Sequence, residues 1–287
     1  MKKSDRTALV AIPIVIVLGY LVSLAGSQGG TTVAEYPVFA LSVGLAFLIQ
    51  WLVFIPAYLL QTEKFFDITG SITYVLVILV TLYFSGIDSR SMLLSALVIV
   101  WAVRLGSFLF GRIHKAGKDG RFDEIKPSFI RFLNVWTIQG LWVTFTASAA
   151  LVAISTSNHK ELDLFAIIGF LVWLIGFAIE VAADSQKSRF SANPENKGKF
   201  IQTGLWARSR HPNYFGEIVL WIGIAIIALP VLHGWQWVAL ISPIFVTLLL
   251  TRVSGVPLLE KRADEKWGGQ KDYETYKATT PVLIPKL

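Results

Sequence analysis

An all-α polytopic membrane bundle with seven or eight transmembrane helices is the fold class this sequence predicts, and three observations predict it. Hydrophobic residues make up 54% of the chain and charged residues only 16%, with a mean hydropathy of +0.60. Apolar runs recur along nearly the whole length. The basic residues alternate between rich and poor connecting segments, as the positive-inside rule requires of a chain that crosses a membrane repeatedly.

The runs are Ala8 to Ala25, Val38 to Leu60, Ile72 to Phe84, Met92 to Phe110, Phe132 to Ile154, Leu164 to Ala183, Phe215 to Leu232 and Trp237 to Leu250. A span needs about 20 residues, so the third and eighth are short unless their polar flanks join the helix. The first run follows a charged start, as a signal peptide does, but SLAGSQGG also reads as a short external turn. The charge alternation works only when this run is kept as a helix. Between the spans the basic residues fall as Lys2, Lys3 and Arg6, none in 27–36, Lys64, Arg90, six in 112–131, Lys160, six in 187–210, none in 231–236, and seven from Arg252 onward. Arg104 falls inside a span, and only Arg90 and Lys160 of the 26 break the alternation. Both termini and the long polar loops are therefore expected in the cytoplasm, and the net charge of +7 needs no nucleic acid to explain it. With no internal repeat and no low-complexity tract, residues 1–287 are expected to form a single membrane domain. The chain has no cysteine, which excludes disulfides, thiolate metal sites and cysteine nucleophiles, and no metal site is expected.

Loop 112–131, segment 187–212 and tail 252–287 carry nearly all the polar chemistry. The first reads GRIHKAGKDGRFDEIKP and sets Arg112, Lys115, Lys118 and Arg121 among glycines. EVAADSQKSRF puts Glu180, Asp184 and Lys187 on one face at the end of an otherwise apolar helix, where acids cost free energy unless partnered. In RSRHPNYFGE, Arg208, Arg210 and His211 precede a helix whose first turn suits Pro212, and Asn213, Gly216 and Glu217 then share one face. A juxtamembrane basic segment at anionic headgroups accounts for the two arginines, but not for that polar face. TRVSGVPLLEKRADEKW adds Arg252 at a helix end, followed by Glu260. Guanidinium forks match phosphate oxygens, an extra arginine suits a 2′-phosphate, and carboxylates suit ribose hydroxyls, so a dinucleotide phosphate fits this set. No G-x-G-x-x-G follows a strand, so helices and loops must build the site.

The succession EVAADSQKSRF, GLWARSRHPNYFGEIVLWIG, RVSGVPLLEKR and YKATTPVLIP resembles the steroid 5-alpha-reductase superfamily, particularly its bacterial membrane branch. The resemblance covers roughly the C-terminal half and, more weakly, VWAVRLGSFLFGRI. It implies an all-helical membrane enzyme, here of a bacterial inner membrane, that uses cytoplasmic NADPH to reduce a double bond conjugated to a ketone. The substrate it implies is a 3-oxo-4-ene steroid or related apolar polycyclic enone, met among membrane lipids without an obligate protein partner. Nucleotide contacts carried over by the resemblance fall on Asp184, Asn213, Glu217 and Arg252, with Arg104 and Arg112 in the weaker segment. Lys187, Arg208, Arg210, His211 and Glu260 join them as the charged and polar surroundings. Animal members carry a tyrosine three residues before the first of these basic positions, where this chain has Trp101, and an early Gln-Glu pair of which Gln61 with Glu63, or Asp67, is the nearest counterpart. Gln139 matches a family glutamine.

Hydride addition to an enone leaves negative charge on the carbonyl oxygen, so a donor must already face that oxygen. Glu63, Asp67 and Gln139 are the candidate catalytic residues, with burial expected to raise the two carboxyls; an ordinary loop with a helix cap at Asp67 is the structural alternative. Trp51, Trp101, Trp136 and Trp142 either wall an apolar cavity or simply pack. The RHPNY turn is also similar to that of isoprenylcysteine-type membrane methyltransferases using S-adenosylmethionine, whose sulfonium gives no reason to collect arginines. A non-catalytic sterol or lipid binding protein is the other alternative, because fold does not guarantee activity.

Overall fold

The computed structural model describes residues 2–286, the side chains of 115 and 116 excepted, so Lys115 of the basic loop lies outside the described side chains. Among the described residues ten α-helices run in order as α1 Lys3–Gly26, α2 Val38–Leu59, α3 Phe66–Ser85, α4 Ser89–Ala116, α5 Phe129–Ser155, α6 Leu164–Ala192, α7 Pro212–Ala228, α8 Ile241–Leu248, α9 Val256–Trp267 and α10 Lys271–Thr279. Among the described residues eight segments are long and apolar enough to cross a membrane: α1 to α7 supply seven, and Gly234–Trp267 is the eighth. The only sheet among them pairs Thr32–Val33 with Tyr36–Pro37 in the turn after α1.

Two expected boundaries change, each for a physical reason. The third helix begins at Phe66 and takes in the polar stretch DITGSIT. Its hydroxyls bond back to the helix's own carbonyls, Thr69 to Phe65 at 2.6 Å and Thr73 to Thr69 at 2.7 Å, which makes them tolerable in an apolar setting. The eighth span is not one helix over Trp237 to Leu250. A 3-10 turn, Gly234–Leu240, leads into α8, which loosens into a π-turn at Leu249–Val253 and restarts as α9 after Gly255. Single π-turns inside helices recur at functional sites, and this one contains Arg252.

The chain divides into two compact units, unit 1 comprising 1–166 and 227–242, unit 2 comprising 167–226 and 243–287. In unit 1, α5 is the axis, packed against α1, α2, α3 and α4 and buried along most of its length. Its run TFTASAALVAIS explains this, since small residues let neighbouring backbones approach where hydrocarbon offers no hydrophobic drive. Ser148 donates to the Ala239 carbonyl at 3.0 Å, and Ser242 to that of Thr146 at 2.5 Å. Unit 2 is seamed by glycines. A Cβ at Gly216 would lie 2.6 Å from the Glu180 backbone nitrogen, and one at Gly223 2.6 Å from that of Trp173, so α6 and α7 meet backbone to backbone.

Candidate functional site

In unit 2 that glycine seam brings the polar residues of α6 and α7 together. Asn213, in the first turn of α7, donates from Nδ2 to Asp184 Oδ1 at 3.2 Å. Asp184 and Glu180 are both buried on α6, and Gly216 lies against Glu180. Asn213 Oδ1 is buried without a hydrogen-bond partner among the described residues, and so is His211 Nδ1. Buried polar atoms in that state call for a ligand or a water. Glu217 follows one turn after Asn213 on α7 and is half-buried.

The basic residues of the same unit separate into two kinds. Glu260 on α9 binds His211 Nε2 through Oε1 at 2.7 Å and Arg210 through Oε2 at 2.8 Å, so Arg210, His211 and Glu260 form a closed ionic cluster. Lys187 lies 4.5 Å above the Trp206 ring, whose indole donates to the Ala183 carbonyl at 3.0 Å. Arg208 and Arg252 are exposed, and among the described residues neither side chain has a partner. A Cβ at Gly255 would lie 2.9 Å from Tyr214, so the chain leaving the π-turn closes on the first turn of α7.

Sequence reasoning missed what holds the RSRHPN turn in shape. Arg210 donates its backbone N–H to the Pro281 carbonyl and Lys286 to that of Arg208, each at 2.9 Å, while the buried Ser209 hydroxyl donates to Leu283 at 2.7 Å. Residues 281–286 thus strap the turn. α10 anchors the strap through Tyr276, which donates to the Trp206 carbonyl at 2.7 Å and whose phenol burial pushes up to about 12, keeping it a donor at any physiological pH. The prolines of TTPVLIP were the available signal, since they favour an extended segment.

The candidate catalytic residues all lie in unit 1. Gln139, on α5, donates to the Phe66 carbonyl at 3.1 Å and lies against Gly70, where a Cβ would come within 2.7 Å of its Nε2. Its Oε1 is buried without a partner among the described residues. Asp67 occupies the first turn of α3 without capping it and lies 3.8 Å from Arg112, which is 56% exposed. Arg104 stacks over Phe108, 5.3 Å from the ring centroid. Gln61 is exposed and donates to its own turn at the Tyr58 carbonyl, apart from Glu63.

Glu63 behaves opposite to expectation. Burial does favour its protonation, but Lys126 at 2.7 Å and the Asp119 backbone N–H at 3.0 Å outweigh that and hold the carboxyl below the ordinary glutamate value. These bonds fold loop 117–128 back, setting Phe122 into a cluster with Phe54, Phe132 and Trp136. Trp136 therefore packs in an aromatic core, and Trp51 donates to Thr137 at 3.1 Å.

Eight apolar segments among the described residues, with this distribution of buried polar groups, define a polytopic integral membrane protein. The chain belongs to the DUF1295 family, described as a protein of unknown function, which matches residues 53–280. It is similar to 3-oxo-5-alpha-steroid 4-dehydrogenase 1 of Mus musculus, with 30% identity over 120 residues, 42% of this chain and 41% of the relative. It is 29% identical to steroid 5-alpha-reductase DET2 of Arabidopsis thaliana over 121 residues, 42% of this chain and 40% of the relative. The probable O-methyltransferase ustE of Ustilaginoidea virens is 29% identical over 91 residues, 31% of this chain and 32% of the relative. The chain thus spans about two fifths of the length of the steroid-enzyme relatives it matches. No solved structure matches at a significant level.

Proposed function

We propose that this protein reduces the carbon–carbon double bond of a membrane-soluble enone, a 3-oxo-4-ene steroid or related polycyclic enone, with NADPH as the hydride source. The observation that carries the reading is the Asn213–Asp184 pair with its orphaned Asn213 carbonyl, in the same unit as the exposed Arg208 and Arg252. An orphaned acceptor beside a carboxylate suits the hydroxyl and amino donors of a nucleoside, and exposed guanidinium groups suit its phosphates. Asp184, Asn213 and Glu217 would hold the nucleoside part and Arg208 and Arg252 the phosphates. Lys187, Arg210, His211 and Glu260 shape the turn that carries them. Arg104 and Arg112 of unit 1 keep the nucleotide role that the family resemblance implies.

When bound, the dihydronicotinamide supplies hydride to the β-carbon of the enone. The protein's task is then to keep water away and to stabilise the oxygen on which charge develops. Asp67 and the second N–H of Gln139 stand as donors to that oxygen. Glu63, held ionised by Lys126, acts instead as an anchor for loop 117–128. The alternation of basic loops supports cytoplasmic termini and nucleotide residues, in a bacterial inner membrane, with lipids and an apolar substrate as the only partners required.

Similarity to a named methyltransferase favours a second reading, in which the RHPNY turn serves S-adenosylmethionine. Titrating purified protein with NADPH, NADH and S-adenosylmethionine separates the two, and loss of NADPH absorbance with a 3-oxo-4-ene steroid tests the reaction. Binding of S-adenosylmethionine without NADPH would replace the proposal. Steroid binding without nucleotide oxidation would leave a non-catalytic lipid-binding protein.

A further inference from the structure

We propose that the outward face of α6 holds one anionic phospholipid, its acyl chain in a groove along the helix and its phosphate at Ser185, Gln186 and Arg189. The groove, about 480 Å³ and shallow, lies wholly in unit 2. It begins where the sequence changes: Leu171, Leu174 and Ile175 stand exposed on this face, and one turn later alanines take their place at 178 and 182. Phe177 and Val181 wall that alanine floor, and stacking on the buried Trp173, 4.7 Å between centroids at 12°, holds Phe177 in position. Positions 178, 182, 185 and 189 share one side of the helix, opposite the side that carries Glu180 and Asp184. The groove is therefore separate from the Asn213–Asp184 pair.

Depth along α6 follows the change of polarity within a lipid. The apolar run starts at Leu164 and ends at Ala183, and about 20 residues of helix match the hydrocarbon thickness of a bilayer. Phe177 to Ala182 thus flank the acyl chains of one leaflet. With a rise of about 1.5 Å per residue, Ser185 lies about 3 Å and Arg189 about 9 Å past the boundary, at headgroup level.

The polar end of the groove offers donors. Gln186 Oε1 accepts the Leu205 N–H at 2.9 Å, which fixes the orientation of the amide and leaves Nε2 as a donor without a partner among the described residues. The Ser185 hydroxyl and the exposed Arg189 guanidinium are likewise without partners there, and among the described residues no carboxylate lines the groove. Such a set suits a phosphate. An uncharged enone leaves it unused. A second copy fits worse, because in a two-fold dimer through this face, both copies the same way up, Arg189 meets its own counterpart. Chain contact alone selects nothing, since the bilayer offers the same contact everywhere. The donors decide which lipid stays.

Native mass spectrometry of the full chain in detergent tests the site, with phosphatidylglycerol and phosphatidylcholine of identical acyl chains as probes. One phosphatidylglycerol per chain should be retained about fivefold more tightly than phosphatidylcholine, whose choline sets a positive charge beside Arg189. Arg189→Gln should erase that preference. Lys197→Gln, at an exposed lysine of the same unit outside the groove, should leave it intact. Ala182→Leu fills the floor and should weaken both lipids, and inorganic phosphate at matched ionic strength should displace neither. Equal retention of the two lipids, an unchanged preference in Arg189→Gln, the same loss in Lys197→Gln, or displacement by inorganic phosphate would each overturn the site. So would an Ala182→Leu variant that binds phosphatidylglycerol as the wild type does. A dimer that Ala182→Leu dissociates would make this face an interface between copies instead. Arg189 is exposed, so its variant decides the matter even where Ala182→Leu fails to fold.

Discussion

Arg90 is one of the two basic residues that break the positive-inside alternation, and its burial predicts that replacing it destabilises unit 1 severely. Its side chain is 2% exposed, yet the guanidinium is fully engaged. It donates to the Ile227 carbonyl at 2.6 Å and the Glu161 carbonyl at 2.8 Å, and pairs with Asp163 at 3.0 Å. Asp163 in turn accepts the Ala166 N–H at 3.1 Å in the first turn of α6, and Asp88 caps α4 two residues before Arg90. Each hydrogen bond to a charged group contributes about 1.5–3 kcal/mol. The three act through one side chain and do not add, so the loss on breaking a buried pair, about 3–5 kcal/mol, is the better guide for Arg90→Ala. Against a total of about 5–15 kcal/mol that is roughly a fifth or more of the stability. Unfolding of detergent-solubilised wild type, Arg90→Ala and Arg90→Lys by denaturant titration measures it. The lysine variant should fall between the other two, because one ammonium cannot reproduce the fork that spans two carbonyls and a carboxylate. A loss for Arg90→Ala below about 1 kcal/mol, typical of an exposed pair, would mean that the arginine is solvated and the reasoning wrong.

Three other outcomes follow from the site. Asn213→Ala should weaken NADPH binding by about 1.5–3 kcal/mol by calorimetric titration, since it removes both the bond to Asp184 and the orphaned acceptor; wild-type affinity would remove Asn213 from the nucleotide site. Glu63 has a depressed pKa, so its anchoring of loop 117–128 is fully present above the ordinary value of 4.5 and is lost as pH falls through the lower folded-state value. Hydrogen exchange in 117–127, corrected for intrinsic rates, should therefore accelerate at acid pH, and Glu63→Gln should abolish that step; a wild-type loop with the same protection at every pH contradicts the anchor. Deleting residues 280–287 should speed exchange in 206–214 and weaken NADPH binding with helix content preserved, and unchanged protection there would mean the turn holds itself.

What was legible in the sequence depended on whether the signal was local. Pro212 at the start of α7 and the shared face of Asn213 and Gly216 follow from helix periodicity alone, and the structure has them there. The early start of α3 was hidden, because DITGSIT looks polar until its hydroxyls are seen bonding to carbonyls four residues back. The break in the eighth span was hidden too, since a π-turn has no composition of its own. Long-range pairing defeated the rest. Nothing near Glu63 announces Lys126, 63 residues away, and this pairing reverses the direction in which its carboxyl shifts. Lys160, the other exception to the alternation, lies exposed in a loop, so only Arg90 needed a structural explanation.

The same long-range pairing alters the argument about the cofactor. The case for phosphate recognition counted Arg104, Arg112, Lys187, Arg208, Arg210 and Arg252 as one basic set. Glu260 neutralises Arg210, Trp206 holds Lys187, and Asp67 stands near Arg112, so of that set's members in unit 2 only Arg208 and Arg252 are exposed guanidinium groups without a partner among the described residues. Two forks suffice for a pyrophosphate or for one part of a 2′-phosphorylated dinucleotide, not for every phosphate at full strength. On the proposed reading, discrimination between NADPH and NADH would then rest on about one charged hydrogen bond, worth about 1.5–3 kcal/mol, or roughly 10- to 150-fold in affinity. The comparison to make is therefore between Arg208→Ala and Arg252→Ala: the variant that weakens NADPH while leaving NADH untouched holds the 2′-phosphate, and equal losses for both nucleotides in both variants would assign the two arginines to the pyrophosphate.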